Sequence, residues 1–295
     1  MTAVAILGAR GQIARGLLEH LPSSWDIQPF SRDPGALHPE ARARGAALLP
    51  YDCFARGDYE LVVNAAGPGD PGAHRALGPK IFQITETFDN LALDYLATRP
   101  SAAYINVSTG AVANAAADTA KPYVVAKRDA EAKHRLRADS RIADLRVFGY
   151  FSRHIDLQSG FFMAQLIRCL VRNETFVTPA ADFARDYVAP EDLAGYMVAL
   201  AERGVPNGAY DAVSREPATK FTILEAMRKY FGLRYEIDRE NPTSPERPKH
   251  VTPQRNWPNF PFAAKLTSLQ VVMRESEALV RNHGARLQVT LDGHD

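Results

Sequence analysis

A glycine-rich turn near the N-terminus constrains the fold of this chain more than any other feature. The apolar run "AVAILG", residues 3–8, passes directly into "ARGQIARGLLEHL", so that Gly8, Gly11 and Ala14 stand in the spacing GxxGxxA between a predicted strand and a predicted helix. Glycine is needed where the backbone turns sharply and where a pyrophosphate approaches main-chain amides, and a small residue at Ala14 lets helix and strand pack closely. The turn therefore predicts a dinucleotide-binding unit, although the motif alone leaves open a tight turn that binds no ligand.

The first half of the chain alternates short apolar, β-branched runs with longer helical patterns, which is typical of βαβ units around a parallel sheet. The predicted strands are 3–8, 26–31, 46–52, 60–67, 102–109 and 143–149. The predicted helices lie at about 12–21, 37–44, 77–98 and 122–138. After residue 149 helices dominate, and the last, 267–284, has a Thr or Ser cap and ends at a glycine. These patterns predict an α/β protein.

Charge and cysteine content exclude several classes of function. The chain has 35 basic and 34 acidic residues, so no global field attracts nucleic acid or an anionic membrane, and neither partner is expected. Cys53 and Cys169 are the only cysteines, and no Cys or His run has ligand spacing, so we expect no disulfide framework and no metal site. The N-terminal apolar run is too short for a signal segment or a membrane span, so a cytoplasmic location is expected.

The end of the second predicted strand indicates which dinucleotide is bound. An acidic residue there hydrogen-bonds the adenosine ribose, whereas this strand ends in "FSRD", which places Ser31 and Arg32 where a 2′-phosphate would lie. Arg10, in the glycine turn, is expected to close over the same phosphate. NADP(H) is therefore favoured over NAD(H); the alternative is that both arginines are solvated and Asp33 binds the ribose. Asp52, at the end of the third predicted strand, is a candidate for the adenine edge or a helix cap.

A hydroxyl-rich strand end and the helix after it carry the predicted chemistry. The segment "NVSTGAV" closes the fifth predicted strand with Ser108 and Thr109. Tyr123 and Lys127 open the following helix, whose start is fixed by Pro122. Ligands of open parallel sheets bind at the carboxyl ends of the strands, so Ser108, Thr109, Tyr123 and Lys127 are expected to converge beside the nicotinamide.

The chemistry of these four side chains is complementary. A phenol with a pKa near ~10 is a poor acid or base at neutral pH, and an ammonium one helix turn away, at Lys127, is expected to lower the pKa of Tyr123 and to reach the nicotinamide ribose. The hydroxyl of Thr109, with Ser108 beside it, is expected to hydrogen-bond the substrate carbonyl. A proton from tyrosine and a hydride from the cofactor together reduce a carbonyl. The alternative is a surface Tyr and Lys pair at i and i+4 without function.

A family resemblance rests on five motifs in order: GxxGxxA, "NAAG" (64–67), "VSTGAV" (107–112), YxxxK and "RDYVAPEDLA" (185–194). In these the chain resembles the extended short-chain dehydrogenases/reductases, the NAD(P)-dependent epimerase/dehydratase family that acts mainly on nucleotide sugars. The resemblance covers nearly the whole chain and implies a Rossmann-type doubly wound parallel sheet with a smaller C-terminal substrate-binding lobe. The implied division is a dinucleotide-binding domain of residues 1–149 and 187–213, and a substrate-binding lobe of residues 150–186 and 214–295.

Carried over by position, Thr109 matches the family's catalytic hydroxyl residue, Tyr123 its acid/base and Lys127 the partner of that tyrosine. Members that dehydrate the sugar have an Asp-Glu pair after the catalytic Thr, where Gly110 and Ala111 stand here, so 4,6-dehydration is not expected. The segment between Thr109 and Tyr123, which helps to wall the sugar pocket in the family, is shorter than usual. The complete set of predicted cofactor contacts is Gly8, Arg10, Gly11, Gln12, Ile13, Ser31, Arg32, Asp52, Ala65, Ala66, Gly67, Tyr123 and Lys127.

The sugar and its nucleotide are expected to meet residues of the second lobe. Phe148, Tyr150 and Ser152 are predicted to face the cofactor or sugar, and Arg153 or His154 to meet phosphate; the alternative is that the aromatic residues fill the junction between the lobes. The resemblance implies that Arg185 binds the nucleotide and that Asp192 has a structural role. The cations Arg247, Lys249 and Arg255, set among prolines, are candidates for a diphosphate, against a solvated surface as the alternative, and the resemblance favours Arg255.

The preferred interpretation is an NADP(H)-dependent reductase of a keto group on a nucleotide-activated sugar, most plausibly the 4-keto group of a 6-deoxy sugar. An epimerase of the same fold that recycles its NAD(P), and a non-catalytic NADP(H)-binding sensor, are the alternatives; sensors of this type generally lose the Tyr and Lys pair. A homodimer is expected through the helices near 81–96 and 123–138, because family members commonly associate there.

Overall fold

A parallel sheet of six strands forms the centre of the protein. The computed structural model describes residues 2–35, 38–113, 121–239 and 262–291, with side chains up to residue 282. The strands in chain order are β1 (Ala3–Leu7), β2 (Asp26–Phe30), β3 (Leu61–Asn64), β4 (Ala103–Thr109), β5 (Ile142–Val147), β6 (Phe176–Pro179), β7 (Ala184–Arg185), β8 (Gly208–Ala212), β9 (Ala218–Thr219) and β10 (Tyr235–Asp238). The central sheet has the order β2-β1-β3-β4-β5-β8, with every pair parallel. The predicted Rossmann-type α/β fold is confirmed.

Helices cover both faces of this sheet, which is why its strands are apolar almost throughout. The helices are α1 (Gln12–His20), α2 (Pro39–Ala43), α3 (Pro71–Leu77), α4 (Lys80–Thr98), α5 (Pro122–Arg135), α6 (Phe162–Arg172), α7 (Pro190–Glu202), α8 (Lys220–Phe231) and α9 (Ser268–Leu291). Leu17 of α1 and Leu193 of α7 pack against Ile6 on one face. Leu93 of α4 packs with Leu7 on the other. Side chains that alternate along one strand therefore enter two separate cores.

The sheet differs from the sequence prediction at one edge. Residues 46–52 do not form a strand: Leu49 makes an isolated parallel bridge with Phe30, and the chain then enters a 3-10 turn, Tyr51–Arg56, capped by Pro50. Proline has no N–H to continue a ladder, so pairing ends where the prediction expected it to continue. At the C-terminus, α9 runs past Gly284 to Leu291, so the predicted helix end at that glycine was wrong.

A second hydrophobic core lies beneath α6, α8 and α9, where Phe151, Ile167, Leu224 and Val271 are fully buried. Two small sheets accompany it, one of parallel β6 and β10 and one of antiparallel β7 and β9. The Asp192 carboxylate accepts the main-chain N–H groups of residues 265 and 266, as the structural role expected for it requires. The lobe boundaries inferred from the sequence remain a prediction.

Among the described helices, none combines the length and the apolar character needed to cross a membrane.

Candidate active site

A cleft of about 950 Å³ opens at the carboxyl ends of β1, β2 and β3. It lies at the edge of the sheet where ligands of open parallel folds bind. Eight of the predicted cofactor contacts line it, together with Asp33, Tyr51, Pro68, Leu77, Gln83, Ile84, Thr87 and Phe88. The eight are Gly8, Arg10, Gly11, Ser31, Arg32, Ala65, Ala66 and Gly67. Gln12 and Ile13 form the first turn of α1 and do not line this part of the cleft.

The adenine end of the cleft departs from the prediction. Asp52 is exposed and does not line the cleft, because the 3-10 turn that replaces the third predicted strand turns it outward. Tyr51 takes its place: its hydroxyl accepts the Gly8 N–H at 3.1 Å, and its ring lies 5.0 Å from that of Phe88. Burial raises the pKa of Tyr51. Nothing in the sequence indicated Tyr51 beyond its position next to Asp52.

An ion pair spans the rim of the cleft. Arg10 donates to the Asp33 carboxylate at 2.9 Å, with both side chains more than half exposed. The main-chain N–H of Asp33 in turn donates to the hydroxyl of Ser31. Arg32 lies beside them on the cleft wall and is exposed. Arg10 and Arg32, the cations predicted to bind the 2′-phosphate, thus both lie at the cleft. Arg10 is paired with Asp33, the residue that would bind the ribose in the alternative.

Thr109 and Tyr123 meet at the carboxyl end of β4. Thr109 is the last residue of the strand, and Pro122 at the first helical position starts α5 just before Tyr123. The two hydroxyls are hydrogen-bonded. Burial raises the pKa of Tyr123 to about 12, and the bond to Thr109 opposes only part of that rise. The phenol is therefore protonated at neutral pH.

Lys127 lies one turn further along α5 and is buried. Its ammonium donates to the carbonyl of Val107 at 2.8 Å. Burial lowers the pKa of Lys127, while the carboxylates of Asp89, Asp144 and Glu131 act in the opposite direction. The predicted lowering of the Tyr123 pKa by Lys127 is not observed, because desolvation of the phenol dominates and the ammonium is bound to a main-chain carbonyl.

Ser108 does not join the catalytic set, contrary to the prediction. Adjacent strand residues face opposite sides of a sheet, and Ser108 points toward α5. Its hydroxyl is buried and donates to Glu131 at 2.6 Å, and that carboxylate also binds Arg146. Of the two neighbouring hydroxyls, only that of Thr109 lies beside Tyr123; Thr109, Tyr123 and Lys127 are not among the residues that line the cleft described above.

His74 is a site residue that sequence reasoning missed. It lies on α3, and its ring stacks on that of Tyr123 with centroids 3.9 Å apart and an interplanar angle of 18°. Its Nε2 atom lies 2.7 Å from the carbonyl oxygen of Pro68. No spacing rule connects "PGAHRAL" with the YxxxK motif, so the contact could be seen only in the folded chain.

A buried polar layer supports α5 from behind. The imidazole of His134 lies between Asp144, 2.8 Å from Nδ1, and Asp89, 2.7 Å from Nε2, and is fully buried. Carboxylates only accept hydrogen bonds, so both ring nitrogens carry protons. Burial acts to lower the pKa of His134, but the two carboxylates outweigh it and raise the pKa to about 9.

The model of one protein family, described as the NAD dependent epimerase/dehydratase family, matches residues 4–212. The chain belongs to this family. It is therefore an NAD(P)-dependent enzyme of the extended short-chain dehydrogenase/reductase type. No curated protein sequence matches the chain.

Solved structures share the fold over nearly their whole length. One is a UDP-glucose 4-epimerase from Thermotoga maritima with UDP-glucose, 14% identical with a TM-score of 0.75, covering 95% of this chain and 99% of that one. Another is a UDP-glucose 4-epimerase from Bifidobacterium longum with NAD+ and UDP, 17% identical with a TM-score of 0.73, covering 95% of this chain and 98% of that one. A third is a UDP-glucuronic acid 4-epimerase from Bacillus cereus with NAD, 13% identical with a TM-score of 0.73, covering 95% of this chain and 99% of that one. Identities this low establish the fold alone.

The glycine turn fits the dinucleotide that this epimerase/dehydratase family binds. Gly8 has a φ of +80°, and a Cβ atom there would lie 2.6 Å from the backbone of Ala66. At Gly11 a Cβ atom would lie 3.3 Å from the carbonyl oxygen of Gly8. The turn therefore packs directly on residues 65–66, and the first N–H groups of α1, which have no intrahelical acceptor, remain for a pyrophosphate.

The three residues that were predicted to face the cofactor or the sugar fall into two groups. Phe148 packs against Gly110, next to Thr109, and so lies close to the end of β4. Tyr150 and Ser152 do not face a ligand, contrary to the prediction: the Tyr150 hydroxyl donates to the Gln12 carbonyl at 3.3 Å and its ring packs on α1, and Ser152 is fully buried. Both are packed inside the protein; the alternative, which concerned the aromatic residues alone, placed them at the junction between lobes whose boundaries remain a prediction.

The predicted phosphate contacts are also divided. Arg185 lies over the ring of Phe183, 4.3 Å from its centroid, and is hydrogen-bonded to Tyr187. Arg153 pairs with Glu275, and His154 lies 3.0 Å from Glu19, so neither is directed at the cleft. Arg255, with Arg247 and Lys249, lies outside the described residues.

Proposed function

We propose that this family member is an NADPH-dependent reductase of a keto group on a nucleotide-activated sugar, with 4-keto-6-deoxy sugars favoured. The observation that carries the proposal is the state of Tyr123, a protonated phenol hydrogen-bonded to Thr109 at the carboxyl end of β4. Carbonyl reduction needs a proton donor at the oxygen, whereas oxidation of an alcohol needs a base. Tyr123 is protonated at neutral pH. A pKa of about 12 makes it a weaker acid than a free phenol, but the alkoxide that hydride transfer leaves on the substrate is a stronger base than a phenolate and takes the proton.

The residues of this chain have separate tasks in the reduction. When bound, the reduced nicotinamide supplies the hydride to the carbonyl carbon. Thr109 donates a hydrogen bond that holds the carbonyl oxygen, and Tyr123 transfers its proton to that oxygen as it becomes an alcohol. In this proposal the ammonium of Lys127, one helix turn away, turns from the Val107 carbonyl toward the phenolate once the cofactor is bound, and stabilises it until a proton from solvent restores the phenol.

The preference for NADPH is supported by the cations of the cleft. Arg32 lies on the wall at the end of β2, and Ser31 is beside it. A guanidinium matches a phosphate in shape and charge. Asp33 is the competing observation, since an acidic residue at this strand end binds the ribose of NAD. The ion pair of Asp33 with Arg10 at 2.9 Å engages both side chains, so in this proposal Arg32 and Ser31 carry the preference for NADPH.

The nucleotide-sugar class is supported by the family and by the UDP-sugar ligands of proteins with the same fold. Gly110 and Ala111 stand where a dehydrating enzyme carries an Asp-Glu pair, and the Cβ of any larger residue at Gly110 would collide with Phe148. Dehydration is therefore not part of the proposal. Arg185 and Arg255 stay the proposed contacts to the nucleotide.

Epimerisation is the second candidate function, because the solved structures of the same fold are named as 4-epimerases. An epimerase retains its nicotinamide through the catalytic cycle, so it converts one sugar into its epimer without net consumption of NADPH. The two functions are separated by whether NADPH is consumed when the protein is mixed with a keto sugar or with an epimerase substrate.

The experiment is to record NADPH oxidation with a panel of 4-keto-6-deoxy nucleotide sugars, with UDP-glucose and UDP-glucuronic acid as epimerase substrates. Stoichiometric oxidation of NADPH and formation of the alcohol support the reductase. Interconversion of epimers with tightly retained NAD(H) transfers the assignment to the epimerase. Binding of NADPH without hydride transfer to any carbonyl compound favours the sensor.

We also propose a homodimer formed through α4 and α5. Phe82 on α4 is 38% exposed, and Leu136, at the end of α5, is 88% exposed. These apolar side chains gain from burial against a second copy. Light scattering after gel filtration measures the mass directly.

A further inference from the structure

His74 packs against Tyr123, the side chain that donates the proton in the proposed reaction. The ring of His74 is nearly parallel to that of Tyr123, with 3.9 Å between the centroids. A contact this close over a whole ring fixes the plane of the phenol, since Tyr123 cannot rotate about its χ2 angle without displacing the imidazole. The phenol hydroxyl is held at its other end by Thr109.

The geometry of His74 favours a positioning role over an acid–base role. Its Nε2 atom lies 2.7 Å from the Pro68 carbonyl oxygen. A carbonyl accepts hydrogen bonds only, so Nε2 carries a proton that is directed at the backbone. The part of the side chain that meets Tyr123 is the face of the ring.

The helix that carries His74 also contacts the substrate lobe. Asp70 caps α3: its Oδ2 accepts the Ala73 N–H at 2.8 Å. Its Oδ1 accepts the N–H of Gly160 at 2.7 Å, and Gly160 lies in the segment that leads into α6 of the lobe. One short helix thus joins Tyr123 to the segment that leads into α6, which the sequence assigns to the substrate-binding lobe.

We propose that His74 is a positioning residue for Tyr123, and that α3 links the seating of the sugar to the orientation of the phenol through Asp70 and Gly160. The inference rests on the proposed reductase function. A substrate that draws the 160 segment toward the cleft draws α3 with it, and the His74 ring then holds Tyr123 in the orientation that delivers its proton. Small errors in the placement of a reacting group cost large factors in rate.

Substitutions at His74 separate ring stacking from other roles. His74→Leu removes the flat ring, whereas His74→Phe keeps an aromatic face and removes both nitrogens. We expect His74→Leu to lower kcat about 10-fold to 100-fold with NADPH affinity unchanged, and His74→Phe to restore kcat to within about threefold of the wild type. Arg75→Ala, an exposed change on the same helix, is the matched control and leaves kcat unaltered.

Asp70→Ser tests the link to the lobe. Serine keeps an oxygen for the helix cap but has only one, so the acceptor for Gly160 is lost. We expect an increase of about fivefold or more in KM for the sugar with no change in the dissociation constant of NADPH. Fluorescence titration of NADPH measures that constant without turnover.

A readout that needs no turnover keeps this inference distinct from the proposed function. In protein labelled with 13C-tyrosine, the resonance that disappears in Tyr123→Phe belongs to Tyr123, and loss of the ring current in His74→Leu shifts it. If the wild type reduces no keto sugar, the reductase assignment fails while the shift still reports the contact. A kcat for His74→Leu within twofold of the wild type, equal losses in the Leu and Phe variants, or an unchanged sugar KM in Asp70→Ser overturns the inference.

Discussion

The hydroxyl of Ser108 donates a hydrogen bond of 2.6 Å to the carboxylate of Glu131, on the face of β4 that is covered by α5. Its neighbour Thr109 is bonded to Tyr123 at the end of the same strand. Two adjacent hydroxyls that the sequence does not distinguish therefore belong to different environments: one supports the helix, and the other lies at the strand end beside the phenol.

Removing each hydroxyl in turn tests whether Ser108 is structural and Thr109 catalytic. Thr109→Val is expected to lower kcat by about 100-fold, because the donor to the carbonyl oxygen is lost. Ser108→Ala is expected to leave kcat within about threefold and to lower the free energy of unfolding by about 1–3 kcal/mol, since a hydrogen bond to a buried carboxylate disappears. Steady-state kinetics and urea denaturation of both variants test the pair. A larger kinetic effect at Ser108 than at Thr109 contradicts the assignment.

Tyr123→Phe keeps the ring that stacks on His74 and removes only the hydroxyl. We expect kcat to fall by about 100-fold to 10,000-fold, the usual contribution of a general acid, with nearly unchanged affinity for NADPH. Single-turnover oxidation of NADPH and fluorescence titration provide the two numbers. Turnover that survives the change would assign the proton to another donor.

Gly8→Ala introduces a methyl group at φ +80°, 2.6 Å from the backbone of Ala66. We expect the free energy of unfolding to fall by about 1–3 kcal/mol and NADPH binding to be lost, because the turn must move off residues 65–66. Gly69→Ala is the control, since no atom lies within 4 Å of its added Cβ. Equal behaviour of the two variants in urea denaturation and NADPH titration contradicts the tight packing of the turn.

Cofactor choice depends on Arg32 and Asp33. Arg32→Gln is expected to raise the dissociation constant of NADPH about 10-fold while that of NADH changes little, because only the 2′-phosphate meets the guanidinium. Asp33→Asn frees Arg10 and is expected to strengthen NADPH binding. If Asp33 instead binds the ribose of NAD, this second variant weakens NADH binding. Parallel titrations with both cofactors decide.

The stability of the buried layer depends on pH through His134. Its pKa rises from 6.5 to about 9 in the folded chain through its bonds to Asp89 and Asp144. The folded state holds this proton more tightly than the unfolded state, so the stabilisation is complete below pH 6.5 and is lost as the pH rises through about 9. Urea denaturation between these values should show a fall in the free energy of unfolding that is absent in His134→Asn. If the free energy of unfolding falls equally with pH in the two proteins, His134 is not the cause.

The sequence predicted the fold and the family from local patterns, and both are confirmed. It was less successful where a single residue decides which way the chain turns. Pro50 ended the third predicted strand, and the turn that follows moved Asp52 out of the cleft and Tyr51 into it. The sequence left open whether the aromatic residues after β5 face a ligand or fill the junction between the lobes, and the structure packs Tyr150 on α1.

The sequence by itself determined the glycine turn, the alternation of strands and helices, and the spacing of Tyr123 and Lys127, because each depends on backbone geometry within a few residues. Only the tertiary structure decided that His74 stacks on Tyr123, that Asp33 pairs with Arg10 and that Asp70 binds Gly160. Each of these contacts joins segments that are distant along the chain. No local periodicity encodes them, and they arise when the sheet brings its loops to one edge.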